Sequence, residues 1–220
     1  MMKHMTDMNW DRSAVVVIDM QNDFCLPDAV MPVEGAMEVA PAVAEVLKAA
    51  REVQMPIIHI VRYYKADGSN ADLCRREQIL NGLRVVEPGT EGAEILELLK
   101  PDEFKNHKMD AAMLLSGQEQ CIGHKEWILY KSRWGAFYQT KLEQLLKENN
   151  IDSIIFVGIN FPNCPRTSIY EASERDFRIC VVQEAMSRLD EKGIDELKSI
   201  GIAILSKNEV ISQINCKKSV

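Results

Sequence analysis

The chain has 220 residues, of which 46% are hydrophobic, and carries a formal net charge of −7 at pH 7. This length suits a single domain with a sizeable core, and the acidic balance argues against nucleic acid or an anionic membrane as the main partner. No apolar run approaches the roughly 18 residues of a membrane-spanning helix, and the N-terminus lacks the apolar core of a secretory signal. The six cysteines include no Cys-x-x-Cys pair, a pattern typical of reduced thiols in a cytoplasmic protein.

Six short apolar runs, rich in β-branched residues, alternate with helical patterns along the chain. Nearly continuous apolar runs are typical of strands that are covered on both faces of a parallel sheet. Because parallel strands need crossover connections, the alternation predicts an open α/β sheet with helices on both faces. Thr140 and Glu143 have capping-box spacing, which predicts the start of one of these helices. The predicted strands are Ala14–Asp19, Pro56–Val61, Trp127–Tyr130, Ser153–Gly158, Ile179–Val182 and Ile202–Leu205.

Two segments lack this regular alternation. We interpret residues 1–12 as a flexible leader and residues 13–220 as one domain, with an irregular insertion around residues 100–126. The insertion is longer than the structureless connections of compact domains, so we expect a short helix near Asp110–Leu115. The insertion has three candidate roles: a lid, an oligomer contact or a long connection.

Three reactive side chains follow three of the predicted strands. Asp19 ends the first strand, Lys131 follows Trp127–Tyr130, and Cys164 lies in the loop after Ser153–Gly158. In open α/β sheets the functional crevice lies outside the carboxyl ends of the strands, so we expect these side chains to converge there. Taken singly, each has an ordinary structural explanation: a turn cap, a solvent-exposed lysine and a packed cysteine.

Cys164 lies between two prolines, at a point where an apolar run has ended and a helical pattern begins. Pro165 lacks a backbone N–H and fits the first turn of a helix. This puts Cys164 at a helix N-terminus, where the macrodipole favours a thiolate. We therefore expect Cys164 to lose its proton readily and to be the reactive cysteine of the six.

Three segments resemble the signature segments of the isochorismatase-like cysteine hydrolases: AVVVIDMQNDF, YKSRWGAF and VGINFPNCPRTSIYEASERDFRICVV. The resemblance extends from the first predicted strand to the last and implies an open six-stranded parallel sheet with the order 3-2-1-4-5-6. It implies a catalytic triad of Asp19, Lys131 and Cys164. It also implies a cis peptide bond between Ile159 and Asn160, and an oxyanion hole formed by the backbone N–H groups of Asn160 and Cys164.

Two departures from the family pattern leave the substrate open. Many relatives carry a small Ala or Thr followed by Thr where this chain has Asn160 and Phe161. Relatives also commonly have Val or Ile after the nucleophile, where this chain has Pro165. Both proposed oxyanion donors are backbone groups at positions that these changes leave in place.

Several side chains adjacent to the triad segments are expected to form the substrate pocket. The alternative for the four aromatic residues near the triad segments, which are Phe24, Trp134, Phe137 and Phe161, is packing in the core. The alternative for the three residues after the second strand, which are Arg62, Tyr63 and Tyr64, is a solvated loop. The expected pocket residues are Phe24, Trp134, Phe137 and Phe161, with Arg62, Tyr63 and Tyr64 after the second strand as contacts for a polar or anionic group.

No metal or cofactor is expected. In the family that this chain resembles, the nicotinamidase branch binds a metal through an aspartate and histidines near the second strand. This chain has only His59 there. We interpret His59 as a packed strand residue. His107, Cys121 and His124 lack the spacing of a firm zinc motif.

The triad and the resemblance predict a cysteine hydrolase that cleaves the C–N bond of a small amide, carbamoyl, ureido or lactam substrate through a thioester. We expect a small-molecule substrate, no nucleic-acid or membrane partner, and assembly into a homo-oligomer, either a dimer or a tetramer. The alternatives are vinyl-ether hydrolysis of an isochorismate-like substrate without a cysteine nucleophile, and a catalytically silent binding or assembly module. A dinucleotide-binding protein is disfavoured because no G-x-G-x-x-G follows the first strand.

Overall fold

Seven strands form a single sheet in the computed structural model, which describes residues 4–216. Their order across the sheet is β3-β4-β2-β1-β5-β6-β7, and every pair of neighbours is parallel except β3 and β4. The predicted order 3-2-1-4-5-6 is confirmed for the six strands that the sequence predicts. The strands are β1 (Ser13–Ile18), β2 (Ile57–Arg62), β3 (Gln120–Gly123), β4 (Glu126–Lys131), β5 (Ser153–Gly158), β6 (Arg178–Met186) and β7 (Ala203–Leu205).

Helices cover both faces of the sheet, as the alternation of elements predicts. The long helix α2 and the last helix α8 pack on one face, and α5, α6 and α7 pack on the other. Short 3-10 turns lie at 10–12, 91–93, 97–99 and 102–104. The helices are α1 (Asn22–Cys25), α2 (Ala36–Glu52), α3 (Leu73–Leu80), α4 (Ala111–Leu115), α5 (Leu142–Glu148), α6 (Cys164–Ser173), α7 (Glu191–Ser199) and α8 (Lys207–Asn215).

The central strand β1 shows why the apolar runs are continuous rather than alternating. Val15 and Val17 belong to the hydrophobic cluster on the α2 side, whereas Val16 and Ile18 belong to the cluster on the opposite side. All four are buried. Successive side chains of a strand point to opposite faces, so a strand covered on both faces needs apolar residues at every position. Asp19 is the first charged residue that follows this run.

The insertion around residues 100–126 is more regular than expected. It contains α4, whose N-cap Asp110 accepts a hydrogen bond from the Met113 N–H, close to the predicted helix. It also contains β3, a seventh strand that pairs antiparallel with β4 and forms one edge of the sheet. Within β3 only Ile122 is buried, so the segment lacks the apolar run by which the other strands are recognised.

Two further expectations need correction. The start of α5 has no capping box: Thr140 Oγ1 donates to the Ala136 carbonyl at 2.6 Å, and the helix begins after Lys141 without a side-chain cap. The leader is not free of the domain, because Met8 is buried in the core and the Asn9 N–H donates to Ser153 Oγ at 3.0 Å. The first three residues of the leader lie outside the described residues. Within residues 4–216, no helix is long and apolar enough to cross a membrane.

Candidate active site

Asp19, Lys131 and Cys164 meet at the carboxyl edge of the central strands. Asp19 directly follows β1, Lys131 is the last residue of β4, and Cys164 begins α6 in the segment after β5. The Lys131 Nζ lies 2.9 Å from Asp19 Oδ2 and 3.2 Å from Cys164 Sγ. Lys131 is fully buried, so its ammonium depends on these two partners instead of water. The three residues that the sequence singled out therefore form one contiguous cluster; their catalytic role stays a prediction.

Left-handed backbone conformations position this cluster. Asp19 has φ 55° and Asn160 has φ 62°, values that are uncommon for residues other than glycine. Gly158, at the end of β5, has φ 132°, and a Cβ atom there would lie 2.4 Å from the Ile18 carbonyl oxygen. Only glycine fits that position, because any side chain would collide with the neighbouring strand. These turns bring the residues after β1 and β5 close together.

The thiol of Cys164 is protonated in the resting site, contrary to the expectation of a ready thiolate. Burial and the negative charge of Asp19 raise the pKa of Cys164, Lys131 opposes both effects, and the net pKa is about 12. Losing the proton to solvent would leave two negative charges beside one ammonium. Transfer of the proton to Asp19 would instead leave the net charge of the cluster unchanged. The geometry therefore suits activation by a base within the cluster.

The expected oxyanion hole is only partly available. The Asn160 N–H donates to Ser187 Oγ at 2.8 Å, so it is not a free donor as predicted. The peptide bond between Ile159 and Asn160 is trans, as are all bonds within residues 4–216, which corrects the expected cis bond. The Cys164 N–H, by contrast, has no acceptor among the described residues.

A cavity of about 340 Å³ opens beside Asp19 and Cys164. Four of the expected pocket residues line it: Phe24, Trp134, Arg62 and Tyr64. Its size is in the range of small-molecule sites. The full lining is Asp19, Phe24, Met31, Pro32, Val33, Glu34, Arg62, Tyr64, Arg75, Trp134, Ile159, Asn160, Asn163, Cys164 and Arg188.

The other three expected pocket residues lie in the core. Phe137 packs against Phe177 with ring centroids 5.9 Å apart. Phe161 is almost fully buried in the cluster on the α6 side. Tyr63 stacks on Tyr130 at 5.7 Å on the opposite face of the sheet. For Phe137 and Phe161 the core-packing alternative is the observed one. Tyr63 is buried in the α2-side core, so it lies neither in the expected pocket nor in a solvated loop.

Arg62, at the end of β2, is the least exposed charged residue of the cavity wall. Its Nη2 donates to Asp72 Oδ2, which also accepts from the Tyr64 hydroxyl at 3.2 Å. Its guanidinium carbon lies 4.8 Å from the centroid of the Tyr64 ring. Burial acts to lower the pKa of Arg62, but Tyr64, Asp72 and Asp19 raise it above its ordinary value, so the group stays charged.

Four polar lining residues were not among the expected site residues: Glu34, Arg75, Asn163 and Arg188. A signal for Asn163 existed, because it directly precedes Cys164 in the chain. Arg188 lies just beyond β6, after Ser187. A search of the residues that follow each strand would have found it if the full length of β6 had been predicted. Glu34 comes from a connection and Arg75 comes from α3, and neither segment carries a comparable signal.

The histidines considered for a metal do not assemble a site. His59 is buried and its Nε2 lies 2.7 Å from Glu126 Oε1, so it is a strand residue packed against a carboxylate. Among residues 4–216, no group of three or more His, Cys, Asp or Glu side chains is arranged to hold a metal ion. His107, Cys121 and His124 thus do not converge.

Comparison with known proteins identifies the family. The profile of the isochorismatase domain matches residues 13–113 and 117–209. The crystal structure of an isochorismatase family protein from Desulfovibrio vulgaris has a TM-score of 0.78 and 31% sequence identity, over 93% of this chain and 98% of that one.

Two relatives carry names that include an activity. A "probable inactive nicotinamidase" of Arabidopsis thaliana is 28% identical over 88% of this chain and 91% of its own length. A ureidoacrylate amidohydrolase of Caulobacter segnis is 24% identical over 79% of this chain and 71% of its own length. With the family profile and the α/β sheet, these findings show that the chain belongs to the isochorismatase family, which includes amidohydrolases.

Proposed function

We propose that this protein is a cysteine-dependent hydrolase that cleaves the C–N bond of a small amide, carbamoyl, ureido or lactam substrate through a thioester. The observation that carries the proposal is the buried Lys131 ammonium, within hydrogen-bonding distance of both the Asp19 carboxylate and the Cys164 thiol. A nucleophile, a proton acceptor and a fixed positive charge at the wall of one cavity are the parts that acyl transfer needs. The ureidoacrylate amidohydrolase among its relatives supports the reaction class.

In the first step, Asp19 accepts the proton of Cys164 while the sulfur attacks the carbonyl carbon of the substrate. The S–C bond forms, the carbonyl π electrons move to oxygen, and a tetrahedral oxyanion results. Lys131 keeps its charge throughout and stabilises the sulfur as its negative charge develops. The protonated Asp19 then donates its proton to the leaving nitrogen, the C–N bond breaks, and a thioester remains.

In the second half, water replaces the amine in the cavity. Asp19, again a carboxylate, takes a proton from the water as it attacks the thioester. The tetrahedral intermediate then collapses, the C–S bond breaks, the acid product leaves, and Asp19 returns the proton to the Cys164 sulfur. The Cys164 N–H is the available oxyanion donor, and such a donor typically contributes about 3 kcal/mol. The Asn160 N–H can act as a second oxyanion donor only after it gives up its hydrogen bond to Ser187 Oγ.

The test is a panel of small amides, carbamoyl compounds and lactams, assayed for release of ammonia or acid. The proposal expects turnover of at least one compound and its loss in Cys164→Ser, which is nearly isosteric and should keep the fold. Acid quenching during turnover, followed by intact-mass analysis, should trap an acyl adduct on Cys164. The matched control is Cys25→Ser, because Cys25 is a buried cysteine outside the lining of the cavity.

The same experiment separates the two rival functions. Wild-type turnover by Cys164→Ser would overturn covalent catalysis and favour vinyl-ether hydrolysis. A protein that binds small molecules without turning over any compound would be a silent module, in line with the "probable inactive" relative. Turnover that is lost in Cys164→Ser excludes both.

We also propose that the protein works as a homo-oligomer in a cytoplasmic, reducing compartment. All six cysteines are free, and Cys74, Cys121 and Cys216 are exposed, which suits a reducing environment. Light scattering should give a multiple of the 24.9 kDa chain mass. A mass near that of one chain at every concentration would refute the assembly.

A further inference from the structure

The guanidinium of Arg62 has hydrogen-bonding capacity that the protein leaves unused. Its side chain is 3% exposed, and it lines the cavity that contains Asp19 and Cys164. Asp72 pairs with Nη2, whereas Nε and Nη1 have no hydrogen-bond partner within residues 4–216. Leaving donors of a buried charged group unpaired is unfavourable, and because Arg62 lines the cavity, an acceptor bound there would offset this cost.

The position of Arg62 relative to the triad is fixed by the sheet. Arg62 and Lys131 are register partners at the carboxyl ends of β2 and β4. The Gln21 side chain holds the backbone of Arg62 through two hydrogen bonds. Its Oε1 accepts from the Arg62 N–H at 2.7 Å, and its Nε2 donates to the Arg62 carbonyl at 2.8 Å. Asp72 and the Tyr64 ring hold the guanidinium itself. The charge is thus presented on rigid elements beside the thiol.

The charge balance of the cavity wall favours a singly charged anion. Asp19 is balanced by Lys131, and Asp72 is balanced by Arg62. The remaining charged lining residues are Arg75 and Arg188 against Glu34, which leaves an excess of positive charge on a protein whose net charge is −7. Such a local excess attracts anions. A carboxylate matches the planar guanidinium, and a dianion would face the nearby carboxylates of Asp19 and Glu34.

We propose that Arg62 is a specificity-determining residue that binds a carboxylate of the substrate, so that the substrates are small amides that also carry an acidic group. This assignment rests on the proposed function, because it takes the Cys164 thiol as the attacking atom. The acid and the scissile carbonyl are then parts of one small molecule, since both must fit a cavity of about 340 Å³.

The test measures binding separately from turnover. Matched pairs of an acid and its neutral amide serve as probes: oxamate and oxamide, malonamate and malonamide, succinamate and succinamide, and N-carbamoylglycine and its amide. Calorimetry on Cys164→Ser should show at least one acid binding at least about tenfold more tightly than its neutral partner, as expected for a charge-assisted hydrogen bond. No preference for any acid in the panel would overturn the proposal.

Variants assign the preference to Arg62. Arg62→Gln combined with Asp72→Asn removes both members of the buried pair together and should reduce the preference to less than about twofold, since the charge that recognises the acid is gone. Arg12→Gln, which removes one positive charge from an exposed site far from the cavity, should retain it. Should the double variant fail to fold by circular dichroism, Arg62→Lys is the substitute, with an expected loss of at least about fivefold. A preference that survives in the variants would overturn the proposal.

The two proposals fail in different ways. An acid preference that depends on Arg62 in a protein that hydrolyses nothing supports the assignment of Arg62 and overturns the proposed hydrolysis. Hydrolysis of neutral amides at the same rate as their acid partners, with loss in Cys164→Ser, supports the hydrolase and overturns the assignment of Arg62.

Discussion

Asp19→Asn is expected to abolish turnover and yet to make Cys164 more reactive toward a small alkylating reagent. The substitution preserves the shape of the side chain and removes its negative charge. In the wild-type protein, burial and Asp19 together raise the pKa of Cys164 to about 12. Without Asp19, the thiolate would face only the Lys131 ammonium, 3.2 Å from the sulfur. The thiol should then ionise at lower pH, while the proton acceptor that catalysis needs is lost.

The size of the effect follows from the geometry of the cluster. Asp19 Oδ2 and Cys164 Sγ lie 2.9 Å and 3.2 Å from the same Lys131 Nζ, so their separation is short. Two unit charges about 5 Å apart at an effective dielectric constant of about 20 interact by about 3 kcal/mol. This corresponds to about two pH units, so the alkylation profile of Asp19→Asn should lie about two pH units below that of the wild type. Turnover should fall by roughly 10²–10⁴-fold, the usual contribution of a general base.

The assay follows iodoacetamide labelling of Cys164 by peptide mass spectrometry between pH 7 and pH 11. Replacement of the three exposed cysteines by serine removes competing sites, which are Cys74, Cys121 and Cys216. The control variant is Asp28→Asn, which removes a carboxylate from an exposed position outside the cavity lining. Slower alkylation in Asp19→Asn than in the wild type would refute the electrostatic reasoning, since Asp19 would then promote ionisation in the resting protein.

Three further outcomes are expected. Lys131→Met should lower the free energy of unfolding by about 3–5 kcal/mol, because it leaves the buried Asp19 carboxylate without its partner; in urea titrations, the double variant with Asp19→Asn should recover part of the loss, and no recovery would contradict the pairing. Burial acts to raise the pKa of Glu126, but Arg51 and His59 hold it at about 2, below its ordinary value. Its contribution of about 3 kcal/mol should therefore be complete above about pH 5 and lost as the pH falls toward 2; a deficit of Glu126→Gln that stays constant between pH 7 and pH 3 would refute this. Dialysis against a strong chelator should leave turnover unchanged, since the described residues offer no cluster of metal ligands, and a loss that zinc restores would show otherwise.

The sheet was predictable because its strands are buried on both faces. Runs such as Ile57–Arg62 and Ser153–Gly158 have no exposed residue, so hydrophobicity alone marks them. Strand β3 escaped prediction because it lies at an edge and buries only Ile122. Its pairing with β4 depends on a tertiary contact that no local pattern in Gln120–Gly123 encodes.

The triad cluster was predictable for a topological reason, and the pocket was not. Parallel strands end at the same edge, so residues at strand ends meet even when they are far apart in sequence. Pocket walls depend instead on which way each side chain points. Phe137 and Phe161 adjoin triad segments but turn into the core, whereas Arg75 reaches the cavity from α3, a helix with no triad residue.

The Cys164 pKa could not be predicted from sequence either. A helix N-terminus and a lysine both favour a thiolate, and the sequence contains both signals. Burial and the Asp19 charge oppose them, and neither effect can be weighed before the distances and the depth of the site are known. The outcome depends on the whole cluster, not on the residues next to Cys164.

The register between β2 and β4 has a consequence for how this protein tolerates insertions and deletions. Lys131 reaches Asp19 because it is the register partner of Arg62 at the last position of β4. Side chains alternate along a strand, so one residue added to or removed from β4 would turn the ammonium to the opposite face. Two residues would restore the face but move it by roughly 7 Å along the strand. Insertions and deletions in this part of the chain should therefore be confined to the connections outside β4. There they leave the distance between the Lys131 ammonium and the Asp19 carboxylate unaltered.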